Sequence, residues 1–201
     1  MKKLAFFFLV GLAISFSVTA QGDTEMKNRL DIFMNFNRTL NFEKMMDYIY
    51  PKVFTVAPRE QLIEIFKSTF SGNDEISVEM DSLKHGTISP LISVDKGSYH
   101  LVAYSMLIRM KVKQESGEQN GSANSRMLEG LKSQYGEKNV RYDQHTGKYV
   151  ITVNTSMVAV KNELSPNWTF LNFEPDHPLA AQLLDEAVTT KLKTFKEEHK
   201  N

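Results

Sequence analysis

Hydrophobic positions along this chain follow three successive patterns. The first is an unbroken apolar run, Leu4 to Val10, carried on by small and apolar residues to Val18 and preceded by Lys2 and Lys3. Val18-Thr19-Ala20 then places small residues before the polar Gln21-Gly22-Asp23. A basic start, an apolar centre and a small-residue boundary predict a secretory signal peptide over residues 1–20, cleaved after Ala20. The apolar centre is shorter than the roughly 20 residues that span a bilayer. No cysteine follows it, so a lipid anchor there is excluded.

The second pattern has a helical period. Met26, Leu30, Phe33 and Phe36 recur at three- and four-residue spacing, with Lys27, Asn28, Asp31 and Asn35 opposite, which predicts a helix over residues 24–40. Asn41 is a cap for a second helix, with Phe42, Met45, Met46 and Ile49 inward and an end near Tyr50 before Pro51. Pro58 suits the first turn of a third helix running to Phe70, whose apolar face is Leu62, Ile63, Ile65, Phe66 and Phe70. Ser71-Gly72-Asn73-Asp74 is a stop.

The period then falls to two. Ile76, Val78 and Met80 alternate with Ser77, Glu79 and Asp81, and a second strand over 87–94 is interrupted by Pro90. Asp95-Lys96-Gly97 predicts a hairpin leading into a strand over 98–113, with His100, Val102, Tyr104 and Met106 on one face. Residues 114–124 are a polar loop, and 125–135 a short helix. Strands over 139–144 and 148–161 flank His145-Thr146-Gly147, and a short aromatic strand covers 168–173. Asp176 or His177 caps a last helix over 179–196, with Leu183, Leu184, Val188 and Leu192 buried. Helices followed by antiparallel hairpins predict an α+β fold, with N-terminal helices on a curved, mostly antiparallel sheet and a C-terminal helix.

Charge and composition narrow the function classes. The 201 residues less the 20-residue leader leave 181, enough for one domain over 21–201. Removing Lys2 and Lys3 leaves 22 basic against 24 acidic residues, so no basic face for nucleic acid is expected. There is no cysteine, which excludes thiol catalysis and cysteine-ligated zinc. The five histidines show no paired spacing, so neither a metal nor a cofactor is expected. No second long apolar segment follows residue 20, so no membrane span is expected after cleavage.

The helical run 26–40, the segment 41–70, the strands over 99–113 and 148–161, and Trp168-Thr169-Phe170-Leu171 stand in an order that resembles the nuclear transport factor 2-like superfamily, which includes polyketide cyclases and ketosteroid isomerases. The resemblance implies helices lying across a bent sheet around a cone-shaped pocket. It covers element order and hydrophobic pattern. No family catalytic motif is matched, and the helix at 125–135 and the long last helix depart from the family. The superfamily is functionally mixed, so this resemblance implies shape and not activity.

Candidate chemistry follows from the pattern. His100 shares a strand face with Tyr104 and is a candidate general base or ligand anchor beside that phenol. Asp47 with Tyr48 and Tyr50 is a candidate acid–phenol set, although adjacent helix residues diverge by about 100°. Trp168 and Tyr48 are candidate binding residues, with core packing of Trp168, Phe170 and Phe173 as the alternative. Met45, Met46, Met106 and Met110 read as deformable core. The expectation is an exported, non-catalytic binding or interaction module, periplasmic or secreted. Its partner would be a small molecule, a protein or a second copy forming a homodimer. The alternative is a small-molecule isomerase, cyclase or hydrolase using a polar pair in the cone. An enzyme would gather at least two titratable side chains around one cavity.

Overall fold

The computed structural model of the chain describes residues 17–72, 75–112, 120–174 and 177–198. Helix α1, Ser17–Arg38, begins before the predicted start at residue 24 and buries Met26, Leu30, Phe33 and Met34. The predicted cut after Ala20 falls within α1, and the rest of the leader, residues 1–16, lies outside the described residues.

Asn41 caps as predicted: its Oδ1 accepts from the Lys44 amide at 3.3 Å. The helix it starts is shorter than the pattern suggested. α2, Phe42–Met45, tightens into a 3₁₀ turn, Met46–Tyr48, and Ile49 is extended. The reason is tertiary. The Tyr50 amide donates to the Phe170 carbonyl at 3.0 Å, and that bond to a distant strand replaces the helical one. A second 3₁₀ turn, Pro51–Thr55, leads to α3, Arg59–Ser71, which Pro58 precedes. Gly72, at φ +68°, ends α3, and a Cβ there would sit 2.9 Å from the Ile76 carbonyl oxygen.

The described strands form a six-stranded antiparallel sheet. They are β1 (Ile76–Ile88), β2 (Ile92–Val94), β3 (Gly97–Val112), β4 (Val140–Asp143), β5 (Lys148–Lys161) and β6 (Thr169–Asn172). The order is β1-β3-β5-β4, with β2 also on β3 and β6 also on β5. The two predicted strands over 76–81 and 87–94 are divided differently. β1 runs on to Ile88, and the break comes at Pro90. Register shifts between Met80 and Ser82 and between His85 and Ile88 make this fit. They bring Met80, Leu83, His85 and Ile88 opposite Ile108, Met106, Tyr104 and Val102, all on one face of β3. Such bulges bend a strand and increase its twist.

Each face of the sheet has its own core. On one, Val102 of β3, Met157 and Ala159 of β5 and Phe170 of β6 pack under α1 and α2. On the other, Leu101, Val158, Val160 and Leu171 are covered by α5 (Pro178–Leu183) and α6 (Glu186–Glu198) through Leu183, Leu184, Val188 and Leu192. The predicted last helix is therefore two helices, because Leu184 is extended. His177 caps the first of them, accepting from the Leu179 amide at 3.2 Å. The helix predicted over 125–135 is longer: α4, Asn120–Tyr135, packs against β4.

Candidate functional site

Helix α3 carries the apolar stripe its sequence predicts, yet it has no buried residue. Leu62, Ile63, Phe66 and Phe70 are half-buried and belong to the edge of the core under α1 and α2. Met80 of β1 and Met106 of β3 are half-buried in the same way. Phe66 and Phe70 stack on Phe42 of α2, with 5.5 and 5.8 Å between ring centres, and open space remains beside them. The space between α1, α2, α3 and the sheet is a pocket of about 260 Å³.

Its wall is strongly apolar. Of its 19 lining residues, six are methionine and five are phenylalanine. Only Asn37, Tyr104 and Asn172 bring polar side chains. Flexible thioethers let such a wall reshape around different contents. Register places Tyr104 here: it lies on the β3 face with Val102 and Met106, opposite Thr155 of β5. Asn172 is two residues beyond Phe170, on the same side of β6. Asn37 follows Phe33 by one helical turn, and its Nδ2 donates to the Phe33 carbonyl at 2.9 Å.

The Tyr104 phenol donates to Asn172 Oδ1 at 3.0 Å. Burial pushes its pKa up to about 12, and the Glu174 carboxylate adds to the rise. Glu174 is held beside this row of the sheet, accepting from Thr155 Oγ1. The sign for stability follows directly. Above pH 10 an unfolded tyrosine loses its proton while the folded one keeps it, so stability falls as pH rises from about 10 to about 12. Over that window Tyr104 accounts for roughly 2–3 kcal/mol, from about 1.4 kcal/mol per pH unit of separation. Denaturant unfolding at pH 9 and pH 11.5 checks this: the alkaline loss is smaller in Tyr104→Phe than in the unmodified chain, whereas equal losses contradict it.

The other predicted candidates stand elsewhere. His100 is 2% exposed and does not line the pocket. Its Nδ1 lies 2.8 Å from the Ser89 carbonyl oxygen, so that nitrogen carries a proton and donates. Its Nε2 has no hydrogen-bond partner and lies 3.5 Å from Asp23 Oδ1 of α1. Trp168 packs beside it, 5.2 Å between ring centres, and is itself 2% exposed. The Trp168 carbonyl accepts from Arg29 Nε at 2.6 Å. Asp47 is exposed and pairs with Arg59 at 2.7 Å. Tyr48 is half-buried, with the Arg29 guanidinium 4.6 Å above its ring. The Tyr50 hydroxyl accepts from Asn162 Nδ2 at 3.0 Å. Tyr104 is thus the one predicted candidate at the pocket. Among the described residues it is the only titratable lining side chain.

Asn172, Asn37 and the neighbouring Glu174 were not singled out by sequence reasoning. The available signal was polar residues in phase with an apolar face: Asn172 with Phe170 at period two, Asn37 with Phe33 at one turn. Among the described residues, no group of three or more histidines and carboxylates is placed to hold a metal ion. None of the described helices is long and apolar enough to cross a membrane.

Comparison with protein-family models, with curated proteins and with solved structures finds no match to this chain.

Proposed function

We propose that the chain is an exported binding module that holds one apolar small molecule in the pocket between α1, α2, α3 and the sheet. The observation that carries this reading is the half-buried inner face of α3. A helix whose Leu62, Phe66 and Phe70 face inward without being buried leaves apolar surface unmatched. A ligand that fills the pocket covers it, at about 25 cal/mol for each Å² removed from water. Pockets lined by apolar and aromatic side chains with a few placed polar groups are the usual form of small-molecule sites.

The isomerase, cyclase or hydrolase alternative has weaker support. Its chemistry requires a second titratable group facing Tyr104 across the pocket, and the lining supplies none. The nuclear transport factor 2-like reading remains part of the proposal, supported by element order and by a pocket under the N-terminal helices. Export is supported by Lys2 and Lys3, the apolar run and the Val18-Thr19-Ala20 boundary. Cleavage after Ala20 would leave the α1 core residues Met26, Leu30, Phe33 and Met34 in place. An intact mass of the protein from its native cell that corresponds to residues 21–201 supports export; a mass retaining residues 1–20 contradicts it.

Binding is tested with N-phenyl-1-naphthylamine, an uncharged hydrophobe that fluoresces on leaving water. The expected result is a saturable rise in emission, one site per chain, with a Kd in the micromolar range, about −8 kcal/mol. No saturable rise up to about 100 µM, a binding energy weaker than roughly −5.5 kcal/mol, contradicts the reading.

A further inference from the structure

The polar pair at the pocket has hydrogen-bonding capacity to spare, with Tyr104 buried and Asn172 exposed at the end of β6. Tyr104 donates its one proton to Asn172 Oδ1, so the phenol oxygen keeps lone pairs and the Asn172 amide keeps N–H donors. A partner that completes this pair must donate to one member and accept from the other. A hydroxyl does both with one atom. A carboxylate can only accept.

Charge points the same way. Glu174 stands beside Tyr104 through Thr155, which faces Tyr104 across β3 and β5 and donates to the Glu174 carboxylate. After burial, Glu174 is the second cause of the rise in the phenol's pKa, and Lys196 lies 3.5 Å from its other oxygen. No cation is among the lining residues. An anionic head group beside Tyr104 would lose water, gain no counter-charge and meet a negative field.

We infer that the pocket selects an uncharged apolar molecule bearing a terminal hydroxyl, and discriminates against the corresponding carboxylate. The inference rests on the binding reading above and adds the ligand's chemical class. Tyr104 and Asn172 hold the hydroxyl, the methionine and phenylalanine wall holds the chain, and Glu174 sets the charge preference. A ligand hydroxyl can donate to the buried Tyr104 oxygen, which a carboxylate cannot do, and that difference favours the hydroxyl.

The test is displacement of bound N-phenyl-1-naphthylamine by 1-octanol and by octanoate at pH 8, where the acid is ionised. The expected result is that 1-octanol displaces the probe at a concentration at least 10-fold lower than octanoate. Tyr104→Phe should weaken 1-octanol by about 5-fold or more and leave octanoate nearly unchanged. Glu174→Gln should narrow the gap by strengthening octanoate. Equal displacement by the two ligands in the unmodified chain overturns the inference while the pocket reading stands. A gap that Glu174→Gln leaves unchanged overturns the role given to Glu174. If the probe itself does not bind, the pocket reading fails and this inference falls with it.

Discussion

Replacing Met106 by tryptophan should greatly weaken probe binding and leave the fold nearly as stable as before. Met106 stands on β3 opposite Leu83, half-buried, with its side chain in the pocket wall. In a filled core, forcing in a larger side chain costs about 1–3 kcal/mol, because neighbours must leave their rotamers. Here the indole has empty space to enter. The expected stability change in Met106→Trp is below about 1 kcal/mol in either direction. The probe should weaken by at least 30-fold, about 2 kcal/mol. Probe fluorescence and guanidinium unfolding on the same sample read both quantities. A loss above about 3 kcal/mol would mean that the space is filled. Unchanged probe affinity would mean that binding occurs elsewhere.

The opposite response is expected at Phe170. This ring is fully buried, stacks on Phe33 of α1 with 4.9 Å between centres, and lies under the helices that wall the pocket. Its carbonyl accepts from the Tyr50 amide, so β6 also anchors the chain between α2 and α3. Phe170→Ala removes the ring from a packed site and should cost about 3–5 kcal/mol. That is a large share of the roughly 5–15 kcal/mol that holds a typical domain folded. Leu164→Ala, at a position 55% exposed, serves as the comparison and should change stability by less than about 0.5 kcal/mol. A cost below about 1 kcal/mol in Phe170→Ala would contradict the placement of the core.

The elements with an unbroken period were legible in the sequence. β5 has its predicted bounds, and β3 and α3 lie within a residue or two of theirs, because an alternating or helical stripe survives any tertiary context. Two departures share a cause, which is a contact between residues far apart in the chain. α2 gives way to a 3₁₀ turn because Tyr50 bonds to Phe170. β1 runs through Gly86 because its two register shifts restore pairing with β3, and a bulge has no period to read. The last helix breaks at Leu184 although the apolar stripe continues through it. Helical spacing alone cannot mark such a break.

The candidate site was legible only in part. Strand parity put His100 and Tyr104 on one face, and the structure keeps that relation. The two side chains nevertheless meet different surroundings: Tyr104 lines the pocket, while His100 is packed between Ser89, Trp168 and α1. Parity fixes a direction, whereas the covering helix decides whether space remains there. The pocket itself left no trace in the pattern. The stripe of α3 reads the same whether it closes on the sheet or stands away from it. Asn172 was hidden for a related reason: it is an exposed polar residue at a strand end, and only its bond to Tyr104 ties it to the pocket.

One measurement bears most directly on the central claim that the pocket between α3 and the sheet has room for a ligand. It is a crystal structure of the protein grown with 1-octanol. The account predicts continuous ligand density between Phe66, Met106 and Phe170, its hydroxyl within hydrogen-bonding distance of the Tyr104 oxygen. Side chains of α3 closed onto Met80 and Met106, with no space left between them, would contradict it.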